Sequence, residues 1–218
     1  MNTTSDSIYR MGDDHMSASV ETPLREDAFA LDDELKIELI QKHFTEIMNI
    51  LGLDLTDDSL SGTPHRVAKM YVKEIFSGLN PANKPEARLF ENKYQYSNLL
   101  VEKDITLFSY CEHHFVPIIG RAHVAYIPNR QVIGLSKINR LVEYYAKRPQ
   151  VQERLTNQIA EGLKEALNTV DVAVLIDSKH LCVSSRGIKD VNSSTITACY
   201  SGKFEEDNYK REFLSLIK

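Results

Sequence analysis

Apolar positions change their period along the chain, and the changes mark its elements. From Asp32 the spacing is helical: Leu35, Leu39, Ile40, Phe44, Ile47, Met48 and Leu51 fall on one stripe, and Gly52 is a natural stop. A second helix is predicted from Thr63-Pro64, with Thr able to cap and Pro suited to the first helical position, through Val67, Met70, Tyr71 and Ile75 to about Ser77. Asn80 to Ser97, with Pro81 and Pro85, reads as an irregular connection. Residues 101–110 and 115–127 then read as strands, separated by the polar Cys111-Glu112-His113-His114. Gly134 and Ser136 announce a helix carrying Ile138, Leu141, Val142 and Tyr145. After Pro149 another presents Val151, Leu155, Ile159, Leu163 and Leu167. Strand character returns at 171–184 and 194–202, and an amphipathic helix over about 207–217 closes the chain.

From residue 101 the order is ββααββ, which predicts an α+β plan: an antiparallel sheet with its helices on one face. Four strands leave two open edges, and pairing between subunits would close them. Three segments follow: a flexible tail over residues 1–30, a helical region over 31–97 and a sheet domain over 98–218. The tail is polar and rich in Ser, Thr and Asp, and lacks the basic start and apolar middle of a signal peptide.

Composition narrows the function. The 218 residues are 42% hydrophobic and 26% charged, enough for one globular core with an appendage. No apolar run approaches the ~20 residues that cross a bilayer, so the expectation is a cytoplasmic protein without a membrane partner. A net charge of −5 with no long basic run argues against a nucleic-acid partner. Three cysteines, Cys111, Cys182 and Cys199, cannot all pair within one chain. Reduced thiols beside histidines mean metal chemistry or inert packing.

Cys111-Glu112-His113-His114 puts a thiolate and two imidazoles at a strand end. His180-Leu181-Cys182 reads as part of a strand, so its His and Cys are expected on one face. Cysteine, histidine and cysteine form a known catalytic zinc set with a fourth position for water. Histidines left over suit proton transfer. Buried packing explains a lone Cys182 equally well. His123, His43 and the tail's His15 read as structural. Ser136, Lys137 and Arg140 open a helix with two cations in its first turn, where the dipole disfavours them unless an anion is held there; solvated surface charge is the plain alternative. Ser136 could cap that helix instead. Arg186 would share the metal face if the strand persisted. Arg66 is a further cation, and Gln152-Glu153 offers either a first-turn carboxylate for the dipole or a reader of guanine's N–H edge.

The segments CEHHFVPIIGRAHVAYIP, VIGLSKINRLVEYYAKRPQVQERLTNQI and HLCVSSRGIKD, with LGLDLTDDSLSGTPHRVAKMYVKEIFSGL upstream, closely resemble type I GTP cyclohydrolase over about residues 33–217. The resemblance implies a tunnelling fold and zinc held by Cys111, His114 and Cys182. His113 and His180 would handle protons. Ser136, Lys137, Arg140 and Arg186 would hold a triphosphate, with Arg66 reaching in from a neighbouring subunit, and Gln152 and Glu153 would read the base. It further implies a homodecamer of two pentameric rings with sites at subunit interfaces. The reaction would convert GTP to formate and 7,8-dihydroneopterin triphosphate by zinc-activated water, the first step towards tetrahydrofolate or another pterin. A different tunnelling-fold enzyme, or a module in which zinc only braces the fold, are the rival readings.

Overall fold

The computed structural model describes residues 20–218; the expectations for His15 and most of the tail lie outside them. Helix α1 spans Asp33–Ile50, and Asp32 caps it by accepting from the Leu35 N–H. Its stripe is only partly covered. Ile37 and Met48 are buried, whereas Leu35, Leu39 and Ile47 stay exposed. A four-residue helix α2 (Asp58–Ser61) precedes α3 (Thr63–Met70), which runs on as a π-helical turn over Tyr71–Ile75. Thr63 does not cap α3, contrary to expectation: Gly62 occupies that place and Pro64 follows one residue inside. The Thr63 hydroxyl instead accepts from the Arg66 guanidinium at 3.2 Å.

Strand β1 (Leu89–Glu91), inside the stretch expected to be irregular, pairs antiparallel with β4 (Gln131–Ile133). The main sheet holds β2 (Leu100–Cys111), β3 (Pro117–Tyr126), β6 (Val172–His180) and β7 (Thr195–Tyr200), all antiparallel. The two-residue β5 (Pro149–Gln150) extends it in parallel beside β2, giving the order β5-β2-β3-β6-β7. Helices α4 (Leu135–Ala146) and α5 (Gln152–Leu167) lie between β4 and β6 in sequence and pack on one face. This is the α+β tunnelling-fold arrangement.

Alternation along each strand explains the core. Ile105 and Leu107 of β2, Ala122, Val124 and Tyr126 of β3, and Val172, Val174 and Ile176 of β6 bury against Ile138, Leu141, Val142, Leu155, Ile159 and Leu163 of the helices. The opposite face is covered at one end. There Ala125 and Ala173 meet Phe204 and, from α7 (Asp207–Leu216), Phe213. Gly120 permits the close pairing of β3 and β6, since a Cβ there would stand 2.1 Å from the Asp177 carbonyl oxygen. A bulge in β2 between Glu102 and Ile105 puts Asp104 at φ 60°, and the Asp104 N–H donates to His123 Nδ1 at 3.2 Å. His123 is therefore a buried structural acceptor, as its strand position suggests.

Candidate active site

The helix-facing rows do not stop where the apolar residues do. On β2 the row Ile105, Leu107 continues through Ser109 to Cys111, and on β6 the row Val172, Val174, Ile176 continues through Ser178 to His180. Register aligns Ser109 with Ile118, and Ile118 with His180, so these polar ends meet at one end of the sheet, under the first turn of α5.

Cys182 reaches this place by a different route from the one expected. The strand ends at His180, and Leu181–Ser184 form a short helix α6 that carries Cys182. Arg186 likewise arrives by a turn after α6 and not along a strand. The ligand atoms of Cys111, His114 and Cys182 nevertheless all lie within 4.8 Å of one another. A tetrahedral zinc with bonds of about 2.0–2.3 Å holds its ligands roughly 3.5–3.8 Å apart, so a contraction of about 1 Å suffices. The donor chemistry fits as well. Two thiols and an imidazole are donors that Zn²⁺ takes, and Arg186 Nη1 stands 3.1 Å from His114 Nε2. Burial and the adjacent Cys111 sulfur push the Cys182 thiol up in pKa; two thiolates side by side need a cation between them.

The Cys111–Phe115 turn is held from several sides. The Phe115 N–H donates to the Cys111 carbonyl at 2.8 Å, with Phe115 at φ 52° and its ring edge-on to Tyr71 and Phe76. The Glu112 carboxylate pairs with Arg154, which is 2% exposed on α5. His113 sets Nδ1 3.7 Å from Cys111 Sγ and Nε2 3.8 Å from Glu112. Sequence reading missed this Glu112–Arg154 pair. Its signal was a charged residue, Arg154, adjoining the apolar stripe of α5 and sharing a face with Gln158 one turn on.

His180 Nε2 is 2.8 Å from Gln152 Oε1, and burial lowers its pKa against the opposing pull of Glu153 in the same first turn. Gln152 is itself buried and bonded to Ile176, Ser178, Thr195 and Thr197. The structure thus gathers Cys111, His113, His114, Gln152, Glu153, His180, Cys182 and Arg186. It leaves Ser136, Lys137, Arg140 and Arg66 elsewhere. Gly134, not Ser136, stands at the start of α4, without a side-chain cap. The other end of that helix touches the site, where Ser109 donates to the Ala146 carbonyl at 2.8 Å. Ser136 lies ten residues back, about 15 Å away at 1.5 Å per residue. Arg66 folds back onto Ser59 and Thr63.

An α+β fold that brings two thiols and an imidazole together at one end of its sheet, with further histidines beside them, defines a class: a protein built around a group able to hold a metal ion. The profile of the GTP cyclohydrolase I family matches residues 40–218. The chain is 62% identical to GTP cyclohydrolase 1 of Flavobacterium johnsoniae over 213 residues, covering 98% of this chain and 96% of that protein. It is 53% identical over 204 residues to GTP cyclohydrolase 1 of Citrobacter koseri and of Escherichia coli, covering 93% of this chain and 92% of each relative. Among solved structures it resembles the archaeosine synthase QueF-Like in the apo form at a TM-score of 0.40 and 22% identity, covering 48% of this chain and 93% of that one, too slight a likeness to bear on function. The chain belongs to the GTP cyclohydrolase I family.

Proposed function

We propose that this enzyme converts GTP and water to formate and 7,8-dihydroneopterin triphosphate, with Zn²⁺ held by Cys111, His114 and Cys182. The observation that carries the reading is the convergence of those three donors beside two histidines outside the set. Zinc held by Cys111, His114 and Cys182 would supply Lewis-acid chemistry, making water nucleophilic near neutral pH for attack on C8 of the purine. His113 and His180 move the protons as the imidazole ring opens, a contribution of about 10²–10⁴-fold each. Two waters enter, C8 leaves as formate, and closure of the rearranged ribose onto the base amines returns one water. The Glu153 carboxylate accepts from the N–H edge of guanine, and Arg186 meets the triphosphate.

The remaining cations point to assembly. Ser136, Lys137 and Arg140 sit along α4, with Ser136 about 15 Å from the helix end that touches the cluster. A triphosphate held by both groups calls for a second copy of the chain to bring its own α4 to this cluster, and Arg66 to reach in likewise. Leu35, Leu39 and Ile47, exposed on α1, supply apolar surface for such contacts. A homodecamer of two pentameric rings fits this requirement.

The test is incubation of the zinc-loaded full chain with GTP, with mass spectrometry of the products. Formate and dihydroneopterin triphosphate are expected from the unaltered protein. His113→Ala should fold and keep its zinc but lose turnover. Lost zinc or a collapsed melting temperature in that variant would make His113 a ligand and the metal a brace. Absent turnover by the zinc-loaded unaltered protein would remove the GTP reading.

A further inference from the structure

Gln152 stands in a part of α5 whose side chains face the sheet, and every polar atom of its amide has a partner within the chain. Nε2 donates to the Thr195 carbonyl at 2.8 Å and the Ile176 carbonyl at 3.2 Å, with Thr197 Oγ1 at 3.1 Å. Oε1 accepts from Ser178 Oγ and lies 2.8 Å from His180 Nε2. Carbonyl oxygens only accept, so the two backbone partners fix which end of the amide is nitrogen. The oxygen therefore faces His180, and an oxygen can only accept. His180 must carry its proton on Nε2, which leaves Nδ1 as the free, basic nitrogen of the neutral ring. Thr156 Oγ1 ties the same network, donating to the Gln152 carbonyl at 2.8 Å and lying 2.6 Å from Thr197 Oγ1.

We infer that Gln152 is a positioning residue for His180, fixing its ring orientation and its Nε2–H tautomer, and that it does not read the substrate. The inference rests on the proposed role of His180 in proton transfer. It divides the Gln152-Glu153 pair: Glu153, on the open side of the first turn, is left to meet the base, and Gln152 faces inward. The general physics is that of an orienting group behind a working imidazole, where loss of the orienting bond typically costs about 10–100-fold.

Steady-state kinetics of Gln152→Leu, His180→Ala and the double variant on GTP separate the two roles. Positioning predicts that kcat falls about 10–100-fold in Gln152→Leu with KM for GTP held, and that the substitution costs almost nothing further in the His180→Ala background. Base reading predicts a raised KM that persists in that background, and this result would overturn the inference. Should Gln152→Leu not fold, Ser178→Ala and Thr197→Val loosen the amide without removing it. They should lower kcat less, in the same sense, and a rise in KM instead would count against positioning. Solid-state ¹⁵N NMR of histidine-labelled protein, with His180→Ala for assignment, reads the tautomer without turnover. An Nε2–H signal for His180 is expected in the unaltered protein, and an Nδ1–H tautomer there would refute the proposal even if GTP proved not to be the substrate.

Discussion

His123 and His180 sit in strands of one sheet, yet their surroundings give them different work. His123 faces a bulge and spends Nδ1 on the Asp104 N–H, whereas His180 faces the first turn of α5 beside the thiols. Burial lowers the His123 pKa below 6.5, with Arg121 and Lys103 adding to the shift and Asp104 and Asp177 opposing it. The unfolded chain therefore binds more protons than the folded one between the lowered value and 6.5. Stability from this residue is complete above that window and is lost as pH falls through the folded pKa. Denaturant midpoints between pH 5 and 8 should decline on the acid side, and His123→Asn should flatten that decline. At neutral pH His123→Leu, whose side chain has no acceptor to offer, should cost about 1–3 kcal/mol by leaving the Asp104 N–H unsatisfied. An unchanged pH slope would remove His123 from this role.

At the scale of elements, the hydrophobic pattern gave most of the sheet and helices because each buries one face. The residues that depart from it are those at the site. The strand reading at 171–184 ran too far because Leu181-Cys182-Val183 is apolar, yet the chain turns there into α6. Hydrogen bonding, not hydrophobicity, ends the strand, and alternation cannot register that. The Cys111, His114, Cys182 grouping was legible from residue type and resemblance, while for the Glu112–Arg154 bond across 42 positions the place of Arg154 beside the apolar stripe of α5 signals a buried charge without naming its partner. This ion pair joins the Cys111–Phe115 turn to α5, and Arg154 is almost wholly buried. Arg154→Met should leave Glu112 without its buried partner and destabilise by about 3–5 kcal/mol. Thermal unfolding combined with zinc content checks it, and a stability within about 0.5 kcal/mol of the unaltered protein would show that the turn is held without the pair.

The whole molecule is a metal-donor cluster at one end of a sheet and a cationic helix start displaced from it. If a site takes its thiols from one copy and its Lys137 from another, two inactive variants can repair each other. Cys182→Ser and Lys137→Ala, each nearly inactive alone, should regain activity when dissociated together and reassembled, since some interfaces then combine an intact cluster with an intact α4. No recovery from a properly reassembled mixture would place the complete site within one chain. Among the described residues no helix is long and apolar enough to cross a membrane. On the proposed mechanism, GTP turnover depends on an ion held by Cys111, His114 and Cys182. The most direct test of that dependence is formate release measured as zinc is stripped by a chelator and then returned in known amounts. Activity should vanish with the metal and return in proportion to zinc, up to one ion per chain, and Cys182→Ser should neither bind that ion nor respond. Formate release that persists in demonstrably metal-free protein would contradict the account.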